Sequence, residues 1–282
     1  MAKKNEISNL DFRRLSGIIY NTCGINLPIE KKIFVEGKAK KRVVSLGFNS
    51  YDEYFSFLFT KEGLNTELTL LINVLTTNKT DFFREPAHFD FLTGTILPDF
   101  IRHKTEGIFK KQLNIWSAGC STGEEPYTMA ILLNEQKKIN DSFGFNIYAS
   151  DISTDVLENA QLGIFKSETV DIIPQIYKAK YLLRSKDETK NLVRFIPEIR
   201  SQINFSRINL LENEYNLPAK MDVIFCRNVL IYFDKIIQEK VLTKLTRQLN
   251  PEGYLFIGHS ETIMGMSLPL ERIAPTIYKK NE

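Results

Sequence analysis

The sequence predicts a doubly wound, Rossmann-like α/β domain that carries a small inserted antiparallel β-subdomain and follows a small all-α domain. Three observations predict this. From about residue 110, short apolar strands alternate with amphipathic helices, the pattern of a largely parallel sheet covered on both faces. Residues 1–75 show helical periodicity only. Between 164 and 207 the rhythm breaks into short runs of alternating apolar and polar residues, the signature of a small antiparallel sheet.

The first 75 residues divide into four helices. Asn9 is placed to cap the first, which stops near Gly24, and Pro28 opens a second that runs to about Gly47. Ser50 followed by Glu53 is a capping box for YDEYFSFLF, and Asn65 is placed to cap ELTLLINVL. Short helices with short loops make a bundle. The segment TTNKTDFFREPAHF (76–89), rich in polar and aromatic residues, reads as a connector. Thr80 is expected to cap the helix after it, with Pro86 in its first turn. This linker and its helix occupy 76–110, and the α/β domain occupies 111–282.

Within that domain QLNIWSA (112–118) is a strand, EEPYTMAILLNEQKK a helix, FNIYASD (145–151) a strand and STDVLENAQLG (153–163) a helix. In the insert, 164–207, VRF and INF are the clearest strand pieces. Then come the buried strand MDVIFCRN (221–228), the helix at 234–250 and the strand YLFIGHS (254–260). RIAPTIYKK (272–280) reads as one last strand, and with no convincing helix before it, it is expected to pair antiparallel.

Composition limits the function. The chain has 282 residues, 43% hydrophobic and 25% charged, enough for a catalytic domain and a smaller one. A net charge of +3 gives no support for nucleic-acid binding. The basic excess lies in residues 1–75, with eleven Lys and Arg against eight Asp and Glu. Cys23, Cys120 and Cys226 are far apart, which fits a reducing compartment, and His88, His103 and His259 are scattered, so no metal site is expected. MAKKNEISNL lacks a signal-peptide core, and no run approaches the roughly 18 apolar residues of a membrane span. The expectation is a cytoplasmic protein without membrane insertion, and, as nothing suggests an obligate dimer, a monomer.

The candidate site begins at WSAGCSTGEEPYT (116–128), a Gly-containing turn between strand and helix. Gly119 and Gly123 permit a sharp turn and close approach to a ligand. The spacing is not that of a pyrophosphate fingerprint, and Glu124 and Glu125 would repel phosphate but suit an amino group or a sulfonium. The same acids also favour a helix N-terminus, whatever binds. Asp151, at the end of the second strand, can accept the hydroxyls of a ribose or cap the next helix. Together these features favour an adenosyl ligand without phosphates, of which S-adenosylmethionine is the common one. In FCRNVLIYF (225–233), Arg227, Asn228 and Tyr232 fall at a strand end, although Tyr232 could equally be a core aromatic. No N-P-P-Y motif gathers an amine there, so an oxygen acceptor is favoured. A carboxylate acceptor is already ionised at neutral pH and needs orientation rather than a base.

At these residues the sequence resembles the chemoreceptor glutamate methyltransferases, the CheR family. The resemblance covers nearly the whole chain: the helical N-terminal domain, T-x-N-x-T-x-F-F-R-E, S-T-G-E-E-P-Y, the strand-end Asp, N-L-L, C-R-N-V-x-I-Y-F and G-H-S-E. It implies transfer of a methyl group from S-adenosylmethionine to receptor glutamates, forming methyl esters and S-adenosylhomocysteine. By this resemblance Asn78, Thr80 and Arg84 contact the cofactor, and Glu125 and Asp151 hold its amino-acid or ribose part. Asn209 and Leu210 flank the adenine, and Asn228 lies beside the sulfonium. Arg84, Arg227 and Tyr232 face the methyl group and the incoming glutamate. The basic helix KKIFVEGKAKKR (31–42), with Lys31, Lys38, Lys41 and Arg42, would meet the methyl-accepting chemotaxis receptors, although a merely solvated basic face has the same composition. In some members the inserted sheet also grips a pentapeptide at the receptor C-terminus, and for this chain that point is open.

Two other readings compete. One is an enzyme of the same fold acting on a small molecule or nucleic acid. The other is a non-catalytic module that senses S-adenosylmethionine or binds a receptor in another signalling pathway. Intact Arg84, Arg227 and Tyr232 argue against the second.

Overall fold

The computed structural model describes residues 6–102 and 112–281. His103 and the end of the expected linker helix lie outside the described residues. The chain forms two compact units, one comprising the residues up to Thr77 together with Tyr232–Ile237, the other Asn78–Ile231 with Gln238 onward.

The first unit is helical. Ser8, one residue before the expected cap, starts the first helix (Asn9–Cys23), its Oγ accepting the N–H of Asp11 at 3.0 Å. Gly24, left-handed at φ 75°, ends it. Pro28 precedes a 3-10 turn (Ile29–Lys31), and the basic helix runs Lys32–Ser45. Ser50 caps Tyr51–Leu58, and Glu53 reaches back to the N–H of Asn49 at 2.8 Å. The expected fourth helix is two. Thr60 caps Lys61–Thr66, and Leu68–Leu75 follows after Glu67. Asn65 therefore lies inside a helix rather than capping one, because the Thr60 hydroxyl takes the N–H of Gly63 first.

The second unit holds ten strands among its described residues: β1 (Gln112–Ala118), β2 (Gly144–Asp151), β3 (Ile164–Lys166), β4 (Leu182–Arg184), β5 (Leu192–Phe195), β6 (Ile203–Arg207), β7 (Met221–Cys226), β8 (Leu249–Ile257), β9 (Leu270–Ala274) and β10 (Ile277–Lys280). The main sheet has the order β6-β2-β1-β7-β8-β10-β9, parallel from β6 to β8, with β10 antiparallel to both neighbours. Two expectations are corrected. The INF stretch is no part of the insert's sheet. As β6 it pairs parallel with β2, where Ile203 becomes buried beside Ile147. The expected last strand is a hairpin, because Pro275 cannot donate to a ladder and Thr276, at φ 58°, turns the chain. The small sheet is β3-β5-β4, antiparallel throughout.

The linker is anchored by its aromatic residues. Phe82 is fully buried, 5.0 Å from the ring of Phe165 and 5.8 Å from that of Phe195, and Phe195 stacks on Tyr127 at 4.3 Å. Burying such a ring contributes roughly 2 kcal/mol, so the polar residues around Phe82 are held against the helix after β1. Thr80 does not cap the next helix. That helix starts at Pro86, directly after a left-handed Glu85, and passes through a π-helical turn (Leu92–Ile96) to Arg102.

Candidate active site

The parallel strands β6, β2, β1, β7 and β8 all point the same way, so the residues after their last positions gather along one edge of the sheet. The direction of winding reverses at β1, between β2 and β7, and a crevice opens outside such a switch point. Gly119–Gly123, Ile152–Ser153, Ile208–Leu211 and Arg227–Leu230 all follow strand ends on that edge, and Asp151 is the last residue of β2 there.

The turn after β1 is built for close approach. Gly119 has φ 87°, and a Cβ there would stand 2.4 Å from a methyl of Val229, so only glycine fits. The N–H groups of Gly119 and Cys120 both donate to the carbonyl of Ser150, at 2.7 and 2.8 Å, which holds the turn against the end of β2. Asp151 then accepts the N–H of Ser121 on Oδ2 (2.9 Å) and that of Ser153 on Oδ1 (3.0 Å). The N–H of Ile152 bonds the same carboxylate, so three donors are met and about one of its four lone-pair positions remains. Burial pushes this carboxyl up from its ordinary range, and the N–H groups of Ser153, Ser121 and Ile152 pull it back. A half-buried carboxylate at this strand end can still accept from a ribose hydroxyl, whereas the expected capping role falls elsewhere, since Ser153 and not Asp151 stands at the N-cap of the helix Thr154–Leu162.

The linker reaches the same turn. Ser121 donates its hydroxyl to the carbonyl of Asn78 at 2.9 Å, and the N–H of Phe83 donates to Thr128 Oγ1 at 3.2 Å. A cleft of about 700 Å³ is lined by Asn78, Thr80, Arg84, Thr122, Glu124 and Ile172, among others. It is walled by the linker, the turn after β1 and the insert. Glu124 is buried, its Oε2 accepting the Thr122 hydroxyl at 2.6 Å, and burial raises its carboxyl despite that bond. Arg84 is half-buried, its guanidinium donating to the carbonyl of Lys79 at 3.1 Å.

Arg227 differs from the sequence expectation of a clamp facing substrate. It is only 6% exposed, and its guanidinium meets Glu125 Oε2 at 3.1 Å, Glu85 Oε2 at 3.1 Å and the carbonyl oxygen of Arg84. Its donors are directed into the protein, so it positions Glu125 and the Arg84 backbone. Glu125 also accepts the hydroxyl of Ser117 at 2.6 Å. Burial raises the Glu125 carboxyl against the pull of Arg227. At Glu85 burial acts upward too, but Arg227 and the N–H of His259 outweigh it and hold the carboxyl below its ordinary range. Burial, aided by Arg227, lowers the neighbouring His88 to about 4, so this imidazole is neutral. The sequence reading missed Glu85, Ser117 and Ser121. Each adjoins or belongs to a motif it quoted, but only the fold shows what they touch.

Asn209 and Leu210 follow β6. The side chain of Asn209 accepts the N–H of Leu211 at 3.0 Å, and the carbonyl of Leu210 accepts the hydroxyl of Tyr215, whose ring lies 5.1 Å from that of Trp116 on β1. Asn228 is left-handed at φ 59° and half-buried. Phe83, Glu85 and Ser121 share this unusual conformation, at 54°, 56° and 50°. Backbone strain of this kind concentrates at functional sites. Tyr232 belongs to the helical unit, where its hydroxyl donates to the carbonyl of Thr77 at 3.2 Å.

Lys31, at the end of the 3-10 turn before the basic helix, is exposed, as is Lys41 on the helix, and Lys38 is half-buried, its Nζ 5.5 Å from the ring of Phe34. Arg42 is committed inward. Its Nε and Nη2 bond both oxygens of the buried Glu67, at 2.8 and 2.6 Å, and Tyr54 donates to the same carboxylate.

The strand-end turn, the acid that ends β2 and the adjoining cleft define the class: an S-adenosylmethionine-dependent methyltransferase. The profile of the CheR methyltransferase SAM-binding domain matches residues 78–278, and that of the CheR methyltransferase all-alpha domain matches residues 10–76. The chemotaxis protein methyltransferase of Borreliella burgdorferi is 41% identical over 98% of this chain and 95% of that protein. Those of Salmonella typhimurium and Escherichia coli are 37% and 35% identical, each over 99% of this chain and 92% and 93% of their own length. The chain belongs to the CheR methyltransferase family. No described helix is long and apolar enough to cross a membrane.

Proposed function

We propose that this protein forms methyl esters on glutamate side chains of methyl-accepting chemotaxis receptors. The observation that carries the reading is the cleft in which Arg84 and Thr80 of the linker, Thr122 of the turn after β1 and Ile172 of the insert share one wall system. Asp151 holds the ribose, Asn209 and Leu210 border the adenine, Asn228 lies beside the sulfur, and Asn78, Thr80, Gly119 and Glu125 complete the cradle. S-Adenosylmethionine, when bound, supplies an electrophilic methyl group and is released as S-adenosylhomocysteine; no metal is required.

The chain's own residues orient and shield. A glutamate acceptor arrives ionised, so no side chain has to take a proton. Arg84 meets the carboxylate with a planar donor fork. Arg227 acts from behind, holding Glu125 and the Arg84 carbonyl so that the cleft keeps its shape. Orientation matters more than neutralisation here, because too tight a grip would reduce the nucleophilicity of the carboxylate.

The helical unit, through Lys31, Lys38 and Lys41, faces the acidic methylation region of the receptor. The protein works in the cytoplasm as a monomer. The test is methyl transfer from labelled S-adenosylmethionine to membranes containing the host's chemoreceptors, followed by mild alkali. Glutamate esters release volatile labelled methanol and N-methyl products do not. Volatile label that depends on both receptor and protein is expected. Its absence, with S-adenosylmethionine binding intact, would overturn the reading.

A further inference from the structure

Glu261 lies in the turn after β8, is only 7% exposed, and has both carboxylate oxygens turned toward backbone. Oε2 accepts the N–H of Gly258 at 2.6 Å and that of Asn228 at 3.0 Å. Oε1 accepts the N–H of Ile231 at 3.3 Å, and the N–H of Leu230 bonds to the same carboxylate. The chain leaves the sheet ladder after Cys226 of β7 and after Ile257 of β8, so these amides have no strand partner, and buried amides require one. One side chain supplies it to two strand-end loops at once.

The residue most constrained by this arrangement is Asn228. Its φ of 59° is left-handed, which is costly for a residue with a Cβ. Its amide side chain lies over Gly258, where a Cβ would come within 2.5 Å of Asn228 Nδ2 and 2.8 Å of its backbone nitrogen. Two features therefore converge on one residue: a bare glycine beneath its side chain and a carboxylate gripping its backbone.

We propose that Glu261 is a positioning residue for methyl transfer, fixing left-handed Asn228 against Gly258 through backbone hydrogen bonds and touching neither substrate. The inference rests on the reading that Asn228 borders the cofactor. An ionised carboxylate matches four converging N–H groups because it accepts on both oxygens. Glutamine does not, since its NH2 group would face a backbone N–H, donor against donor. Aspartate keeps the charge but is one methylene short of the loop.

The test is calorimetric titration of S-adenosylhomocysteine into wild type, Glu261→Gln, Asn228→Ala and the double variant, with thermal unfolding recorded for each. Each single change is expected to lower affinity about tenfold, the scale of one lost buried hydrogen bond to a charged group. Because Glu261 acts through Asn228, the double variant is expected to bind no more than about threefold more weakly than Asn228→Ala alone. Two results would overturn the inference alone: losses that multiply in the double variant, or a Glu261→Gln protein with a lowered melting temperature and unchanged affinity. Unchanged affinity in Asn228→Ala would overturn the reading of the site and this inference with it. If Glu261→Gln does not fold, Glu261→Asp carries the same comparison.

Discussion

Nη1 of Arg227 lies 3.1 Å from Oε2 of Glu125, a residue 102 positions away, so the arginine that follows β7 is spent on a buried acid instead of on solvent. Glu85 shares the same guanidinium. Removing the arginine would leave two acids facing one another away from water, and breaking such a pair costs about 3–5 kcal/mol. Arg227→Ala is therefore expected to lower stability by about 3 kcal/mol as well as abolish turnover. Arg227→Lys restores one charge but cannot span both acids and the Arg84 carbonyl. Urea unfolding of the two variants measures the difference, and wild-type stability in Arg227→Ala would refute the positioning role.

Asp151 carries a different prediction, because its two oxygens already hold the N–H groups of Ser121 and Ser153. Asp151→Asn keeps size but turns one acceptor into a donor. S-Adenosylmethionine affinity is expected to fall at least about tenfold, from lost acceptors and a loosened turn. Calorimetry reads this directly, and equal affinity would remove Asp151 from the ribose site.

The fold was largely legible because its period is local. β1 begins and ends at the residues that the alternation of QLNIWSA marks, and Gly119 and Asp151 fall at strand ends that sequence can count. What was not legible depends on distant partners. INF has the same alternation whether it pairs with the insert or with β2, and only the main sheet supplies the parallel neighbour that buries Ile203. Arg227 reads as a substrate clamp from its place after β7, and only folding brings Glu85 and Glu125 to it. Asn65 failed as a cap because Thr60, five residues earlier, has the better start.

Arg84 separates catalysis from folding. It is half-buried in the linker, and its side chain bonds a carbonyl of its own segment, so removal leaves no buried charge unpaired. Arg84→Ala is expected to cost less than about 1 kcal/mol of stability, in line with an exposed contact. Methyl transfer is expected to fall at least about 100-fold, the scale of a lost charged orienting group. A variant with wild-type turnover would return this arginine to a surface role.

Glu135 gives the pH dependence. It sits on the helix after β1 and meets Lys180 and Tyr181 of the insert, with Lys138 of its own helix. Burial works upward, but bonds from Lys180, Tyr181 and Lys138 hold its carboxyl down at about 2, against an ordinary 4.5. A depressed carboxyl contributes stability above its unfolded value and loses it as pH falls through the folded one, here between about 4.5 and 2. The cluster is partly solvated, so the contribution is about 1 kcal/mol. Wild type should exceed Glu135→Gln by that margin near neutral pH, and the margin should shrink in acid. A gap independent of pH would refute the assignment.

The basic helix divides into residues that can meet a partner and one that cannot. Lys38 and Lys41 have no acid bound to them among the contacts described, whereas Arg42 bonds both oxygens of Glu67, which is only 2% exposed and also accepts the hydroxyl of Tyr54. Reversing the lysines changes the field that a receptor meets and leaves the bundle intact. Reversing the arginine places a second acid against a buried one. The double change Lys38→Glu and Lys41→Glu is expected to slow receptor methylation roughly tenfold at low salt, less as salt rises, with unchanged S-adenosylmethionine affinity. Arg42→Glu is expected to unfold the helical unit more easily, by about 3 kcal/mol or more, so any loss of activity in that variant reports stability. Initial rates on receptor membranes at two salt concentrations, beside urea unfolding, distinguish the effects. Equal rates in the lysine variant would rule out docking by this face, and an Arg42→Glu protein as stable as wild type would show that the Glu67 pair does not hold the bundle.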